Sequence, residues 1–193
     1  DAFDPATSRD GSVVAFATQA RNLGARDSGT VVVVRDLRAG TTRVVGGGGH
    51  KGAGAQPSVS ADGRHVVFIT RRLGRGGTLR SQVWSHDRVT GATVLISRAA
   101  GRAAADGYQS QPAVSADGGR VVFTSTASNL GGGKPAGLAG VYVRDVVGAT
   151  TTLVSTHRPN PRRARIVATA AAIRSVYPCH LRTAYGTVLH VRP

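Results

Sequence analysis

The side chains with the most chemical promise are aspartates, serines, histidines and one cysteine, and their spacing decides what they can do. The chain holds 10 acidic residues, all of them Asp, and six fall in equivalent places. Asp10, Asp62 and Asp117 form one set, and Asp36, Asp87 and Asp145 form another. A general acid or base is normally unique in its chain, whereas a turn-forming Asp recurs wherever its turn recurs. The recurrence assigns these six to turns. Ser8, Ser60 and Ser115, each two residues ahead of the first set, go with them.

The remaining candidates are isolated. His50, His65, His86, His157, His180 and His190 include no pair with the spacing of a zinc helix or knuckle. His65 and His86 fall in strand segments and are expected at an edge or at the surface. Cys179 and His180 are adjacent, and a thiol nucleophile on Cys179 needs a positioned base that the sequence does not supply. As the one cysteine, Cys179 has no internal disulfide partner. There is no Gly-x-Ser-x-Gly elbow. The run Gly46-Gly47-Gly48-Gly49 lacks the Gly-Lys-Ser/Thr ending of a phosphate loop and reads as a flexible joint. No catalytic, cofactor-binding or metal-binding residue is assigned, no cofactor is expected, and the expectation is a protein that is not an enzyme.

What must position the recurring residues is a repeat. Pro5-Ala-Thr-Ser8-Arg-Asp10-Gly11, Pro57-Ser-Val-Ser60-Ala-Asp62-Gly63 and Pro112-Ala-Val-Ser115-Ala-Asp117-Gly118 align without a gap, and Phe16, Phe68 and Phe123 follow at one constant distance. Each unit has a second half: Val31 to Asp36 then Gly40, Gln82 to Asp87 then Gly91, and Gly140 to Asp145 then Gly148. The third copy brings its Gly one residue closer to the Asp, which predicts a different turn there. Asp-Gly reverses a chain tightly, because Gly accepts positive φ and the Asp side chain caps nearby amides. Segments such as His65-Val-Val-Phe-Ile-Thr70 are apolar on both faces, as in sheets stacked on sheets. The pattern of strand, turn, strand, long connection, strand, turn, strand is that of one four-stranded propeller blade.

These units resemble the WD-like repeats of the TolB-type β-propeller family. The carriers are Pro-x-x-Ser-x-Asp-Gly with its following apolar strand, the later aromatic-x-x-Asp with its Gly turn, and Asn22-Leu23 and Asn129-Leu130 after the second strands. The resemblance implies an all-β fold of antiparallel blades and a periplasmic or extracellular location. Many relatives carry an acidic, cation-binding loop between the second and third strands. Here those loops hold Asp27 as their single acid among several cations, too few hard oxygen ligands for Ca²⁺, so metal binding is not carried over.

The expected organisation is a partial β-propeller over 4–156, with blades at about 4–46, 56–97 and 111–155, and a basic tail over 157–193. Three blades are an incomplete ring, since closed propellers have four or more. With no Met even at position 1, the chain is expected to be processed or excised, its further blades lying in a longer parent or in a second copy. The tail has no acid and seven arginines; it is disorder, a degenerate fourth blade, or the product of a frame change. Within it 165–174 has helical character and 187–191 strand character.

Net charge is +15, carried almost wholly by Arg. The arginines are scattered along the sequence, which reads as solvated surface and disfavours nucleic acid as a partner. No segment is long and apolar enough for a membrane span. The functional expectation is a non-catalytic binding or scaffolding module whose partner is a protein or an extracellular ligand, with self-association through open blade edges. The long connections 71–81, 98–111 and 127–139 are its variable surfaces. The alternatives are the substrate-gating propeller of a larger serine hydrolase and a basic nucleic-acid-binding protein.

Overall fold

The computed structural model describes residues 1–23, 29–47, 52–99, 103–135, 137–157 and 166–167. They form three four-stranded antiparallel sheets. Blade 1 contains β1 (Ala2–Thr7), β2 (Val13–Thr18), β3 (Val31–Asp36) and β4 (Thr41–Gly47), in that spatial order. Blade 2 contains β5 (Ala53–Val59), β6 (His65–Leu73), β7 (Leu79–Asp87) and β8 (Thr93–Leu95). Blade 3 contains β9 (Gln109–Val114), β10 (Arg120–Ser125), β11 (Gly140–Asp145) and β12 (Thr150–Leu153). The first strands begin ahead of the expected boundaries at 4, 56 and 111.

The repeated proline sits inside each first strand, beside a break in register. The preceding residue takes a left-handed backbone in all three blades: Asp4 at φ 52°, Gln56 at 51° and Gln111 at 52°. Such a conformation is costly for a residue with a Cβ, so its threefold recurrence marks a required bend.

The core lies between blades rather than within one. Val13, Ala15 and Val34 of blade 1 meet Val66 of blade 2. Val67, Ile69 and Val83 of blade 2 meet Val121, Phe123 and Tyr142 of blade 3, with the Phe123 and Tyr142 rings stacked 6.0 Å apart. Blade 2 is therefore covered on both sides, which explains the unbroken apolar run of β6.

Three local expectations are corrected. The third outer turn is not shortened: β11 and β12 pair Asp145 with Thr150 as β3 and β4 pair Asp36 with Thr41. Its left-handed position falls on Ala149, where the other turns have Gly40 and Gly91. Gly46 and Gly47 belong to β4 rather than to a loop, and Gly48 and Gly49 lie outside the described residues. Segment 71–81 is largely strand, because β6 and β7 continue past Thr70↔Gln82 through Arg71↔Ser81, Arg72↔Arg80 and Leu73↔Leu79.

Of the tail, two residues are described beyond His157. Ile166–Val167 pairs with Thr156–His157, so a helix over 165–174 does not hold at those positions. The expected strand at 187–191, together with Cys179, His180 and His190, lies outside the described residues.

Candidate functional site

Each inner turn is built by its Ser and Asp. The hydroxyls of Ser8, Ser60 and Ser115 donate to Asp10, Asp62 and Asp117 at 2.7, 2.5 and 2.5 Å. The same serine oxygens accept the backbone N–H of Val13, His65 and Arg120. The aspartates accept the N–H of Ser12, Arg64 and Gly119. In Asp62 and Asp117 the Ser hydroxyl chiefly holds the carboxyl below the usual carboxylate range, followed by the backbone N–H. In Asp10 the Ser12 N–H leads, followed by the Ser8 hydroxyl.

The outer turns work alike. Asp36 caps Arg38 and Ala39, Asp87 caps Val89 and Thr90, and Asp145 caps Gly148. Asp87 is also gripped by Arg64 at 2.7 Å, which is the main cause of its lowered pKa. Each of the six repeated carboxylates thus accepts at least one turn amide, and Asp10, Asp36 and Asp87 each also pair with an arginine.

The turns also join blade to blade. Arg9 N–H donates to Ala61 O at 3.1 Å, and Ala61 N–H donates to Ala116 O at 3.0 Å. Gly63 lies against Val13 and Gly118 against His65, where an added Cβ would collide with the neighbouring side chain. Gln56 N–H donates to the Asp4 carboxylate at 3.0 Å, and Gln111 N–H donates to Gln56 Oε1 at 2.9 Å. Arg88 spans from blade 2 to Asp36 of blade 1 at 2.7 Å. Gln56 and Gln111 escaped the sequence reading, although the repeated Gln-Pro dipeptide is the signal that gives them away.

This junction defines the candidate site, because it is left open at both ends of the described array. Phe68 and Phe123 point toward the preceding blade and are 2% and 0% exposed, whereas the equivalent Phe16 is only half-buried. On the other end face Val122 is half-buried, whereas its equivalents Ala15 and Val67 are fully buried. Gly11 has open space where Gly63 and Gly118 meet a neighbour. Both end faces carry interblade residues that no further blade covers among the described residues.

His86 lies half-buried on β7, its Nδ1 2.9 Å from Thr93 Oγ1, and burial pushes its pKa down. It lines an outer groove between blades 1 and 2 with Asp36, Arg43 and Arg88. His65 lies at the start of β6 under Gly118. Among the described residues no three His, Cys, Asp or Glu side chains converge as a metal site would require.

The six repeated aspartates gather at the end of the blades that holds the inner and outer turns, where Arg38, Arg64, Arg88 and Arg120 also lie. At the other end are Arg21, Arg71, Arg72, Arg80 and Lys134, with Asp106 held there by Ser128 and Asn129 and Asp1 beside Gln19.

No protein-family model matches the chain. No curated protein matches it either. Solved structures do. TolB from Agrobacterium tumefaciens matches with a TM-score of 0.51 at 22% identity, over 79% of this chain and 48% of that one. The β-propeller domain of the Trilobed protease from Pyrococcus furiosus, of open velcro topology, matches at 0.52 and 16% identity, over 78% and 40%. The tricorn protease matches at 0.54 and 13% identity, over 93% and 17%. The three sheets have the fold of β-propeller blades, like those of the TolB structure, and the chain spans about half the length of that structure.

Proposed function

We propose that the chain is a non-catalytic propeller module that binds and scaffolds, with its two open blade faces as surfaces for further blades of the same repeat. The observation that carries this is the half-exposure of Phe16 at a position buried in both other blades. Blade 1 covers Phe68 with a Gly beneath the ring, and blade 2 covers Phe123 with apolar side chains; a blade over Phe16 can use either. It must also offer a turn N–H for Arg9 O and a side-chain acceptor for Asp4 N–H. An uncovered apolar sheet face of this kind drives association. Further repeats of a longer chain or a second copy can fill it. The TolB likeness supports a periplasmic or extracellular setting, with a protein or an extracellular ligand as partner. The test is the solution mass of the chain with the end faces intact and with each one charged.

A second reading, the gating propeller of a larger hydrolase, is favoured by the likeness to propeller-bearing proteases. A hydrolase segment in the same reading frame, and peptidase activity of that longer protein, would support it.

A further inference from the structure

The feature that the blade junctions leave unexplained is the arm formed by the ends of β6 and β7. The equivalent ladders stop at Thr18↔Val31 in blade 1 and at Ser125↔Gly140 in blade 3. Blade 2 continues through Leu73↔Leu79 and closes through Arg75–Gly77, so its ladder runs three pairs further than those of its neighbours.

The order of residues along this arm is specific. The outermost ladder pair is Leu73 and Leu79, 72% and 46% exposed. The next pair inward is Arg72 and Arg80, both exposed and directly opposite one another. Like charges placed opposite across an antiparallel ladder repel. No ion pair or side-chain hydrogen bond from a described residue relieves Arg72, Arg80 or Arg71, and the Arg71 Nε is buried without a partner. No acid occurs anywhere from Gly63 to His86. An apolar collar near the tip, backed by unpaired guanidiniums, fits an interface whose interior is apolar and whose margin is anionic.

We propose that this arm docks on an anionic lipid surface, Leu73 and Leu79 entering the acyl boundary while Arg71, Arg72 and Arg80 meet the phosphates. The proposal rests on the binding-module reading and names the surface bound. A flat anionic surface matches an arm that carries arginines on both strands and no acid. Nucleic acid fits less well: the arm has no aromatic residue to stack on a base, and an exposed leucine pair does nothing for a phosphate backbone.

The test is co-flotation of the full chain with vesicles of phosphatidylcholine, with and without one third phosphatidylglycerol. Wild type should float with the anionic vesicles and not with the neutral ones. Arg72→Ser with Arg80→Ser should weaken binding roughly thirtyfold, and Leu73→Ser with Leu79→Ser roughly tenfold or more. Arg38→Ser with Arg43→Ser removes the same charge from exposed positions outside the arm and should change binding less than twofold. All six positions are exposed, and matching thermal unfolding will show that the fold is kept. Equal loss in the Arg38/Arg43 variant overturns the proposal, as does binding to neutral vesicles. Arm-dependent retention of a DNA duplex with no vesicle binding also overturns it. Failure here leaves the blade-face reading standing, since solution mass tests that separately.

Discussion

The ring of Phe68 lies over Gly46 of the preceding blade, so closely that any Cβ at Gly46 would occupy the place of the ring. This is the tightest point of the junction between blades 1 and 2. Gly46→Ala should cost about 1–3 kcal/mol by overpacking. Phe68→Leu in the same chain should recover part of the loss. Chemical denaturation of the two single variants and the double variant measures the coupling, and additive losses would show that the ring does not clamp the glycine.

Ala149 holds a left-handed backbone, φ 52°, at the turn position that Gly40 and Gly91 occupy in the other blades. That conformation costs an L-residue about 1–2 kcal/mol, partly offset by the greater freedom of glycine in the unfolded chain. Ala149→Gly should therefore raise stability, by about 0.5–1 kcal/mol. An unchanged or lower denaturation midpoint would contradict the geometry of this turn.

Ser60 is fully buried and serves both Asp62 and the His65 N–H. Ser60→Ala leaves a strand-end N–H unpaired and should cost about 1–3 kcal/mol. Ser60→Thr keeps the hydroxyl and should lose less if the added methyl is accommodated.

The same turns set the acid response. Asp62 and Asp117, held down chiefly by Ser hydroxyls, and Asp10, held down chiefly by the Ser12 N–H, resist protonation in the folded state. As pH falls below about 4 the unfolded chain takes up protons first, so unfolding becomes favoured. The stability these groups contribute is fully present above that pH and is lost as pH drops through their folded values. Thermal unfolding should shift down steadily below pH about 4, after a smaller decline that begins below about 6.5, where the half-buried His86 resists protonation in the folded state. Ser60→Ala should flatten the acid slope, because Asp62 loses its main hydrogen bond.

The blades were legible in the sequence because local chemistry and tertiary role coincide in one motif. The Asp-Gly turn needs Gly for its backbone, and the same Gly packs on Val13 or His65 of the neighbouring blade. Gln56 and Gln111 were hidden because Asp4 fills the third position, which breaks the identity that a repeat search rewards. The turn at Ala149 misled because Gly148 suggested a shorter loop, while strand register, set by packing across β10 and β11, kept the loop length and moved the strain onto Ala149. The arm at 71–81 read as a loop because Arg, Gly and Thr look like turn residues, yet each residue of its strands is paired with one across the hairpin. The gathering of the six repeated aspartates at one end was invisible along the sequence. It follows from the alternation of turns and connections, which only the assembled blades reveal.

The most direct test of the blade-face account is the mass of the full chain by light scattering at micromolar concentration. The account predicts a mass above the 19.8 kDa of one chain for wild type, and a return to 19.8 kDa in Phe16→Asp with Val122→Asp, with the strand signal in circular dichroism unchanged. A folded wild-type chain that stays at 19.8 kDa would contradict it.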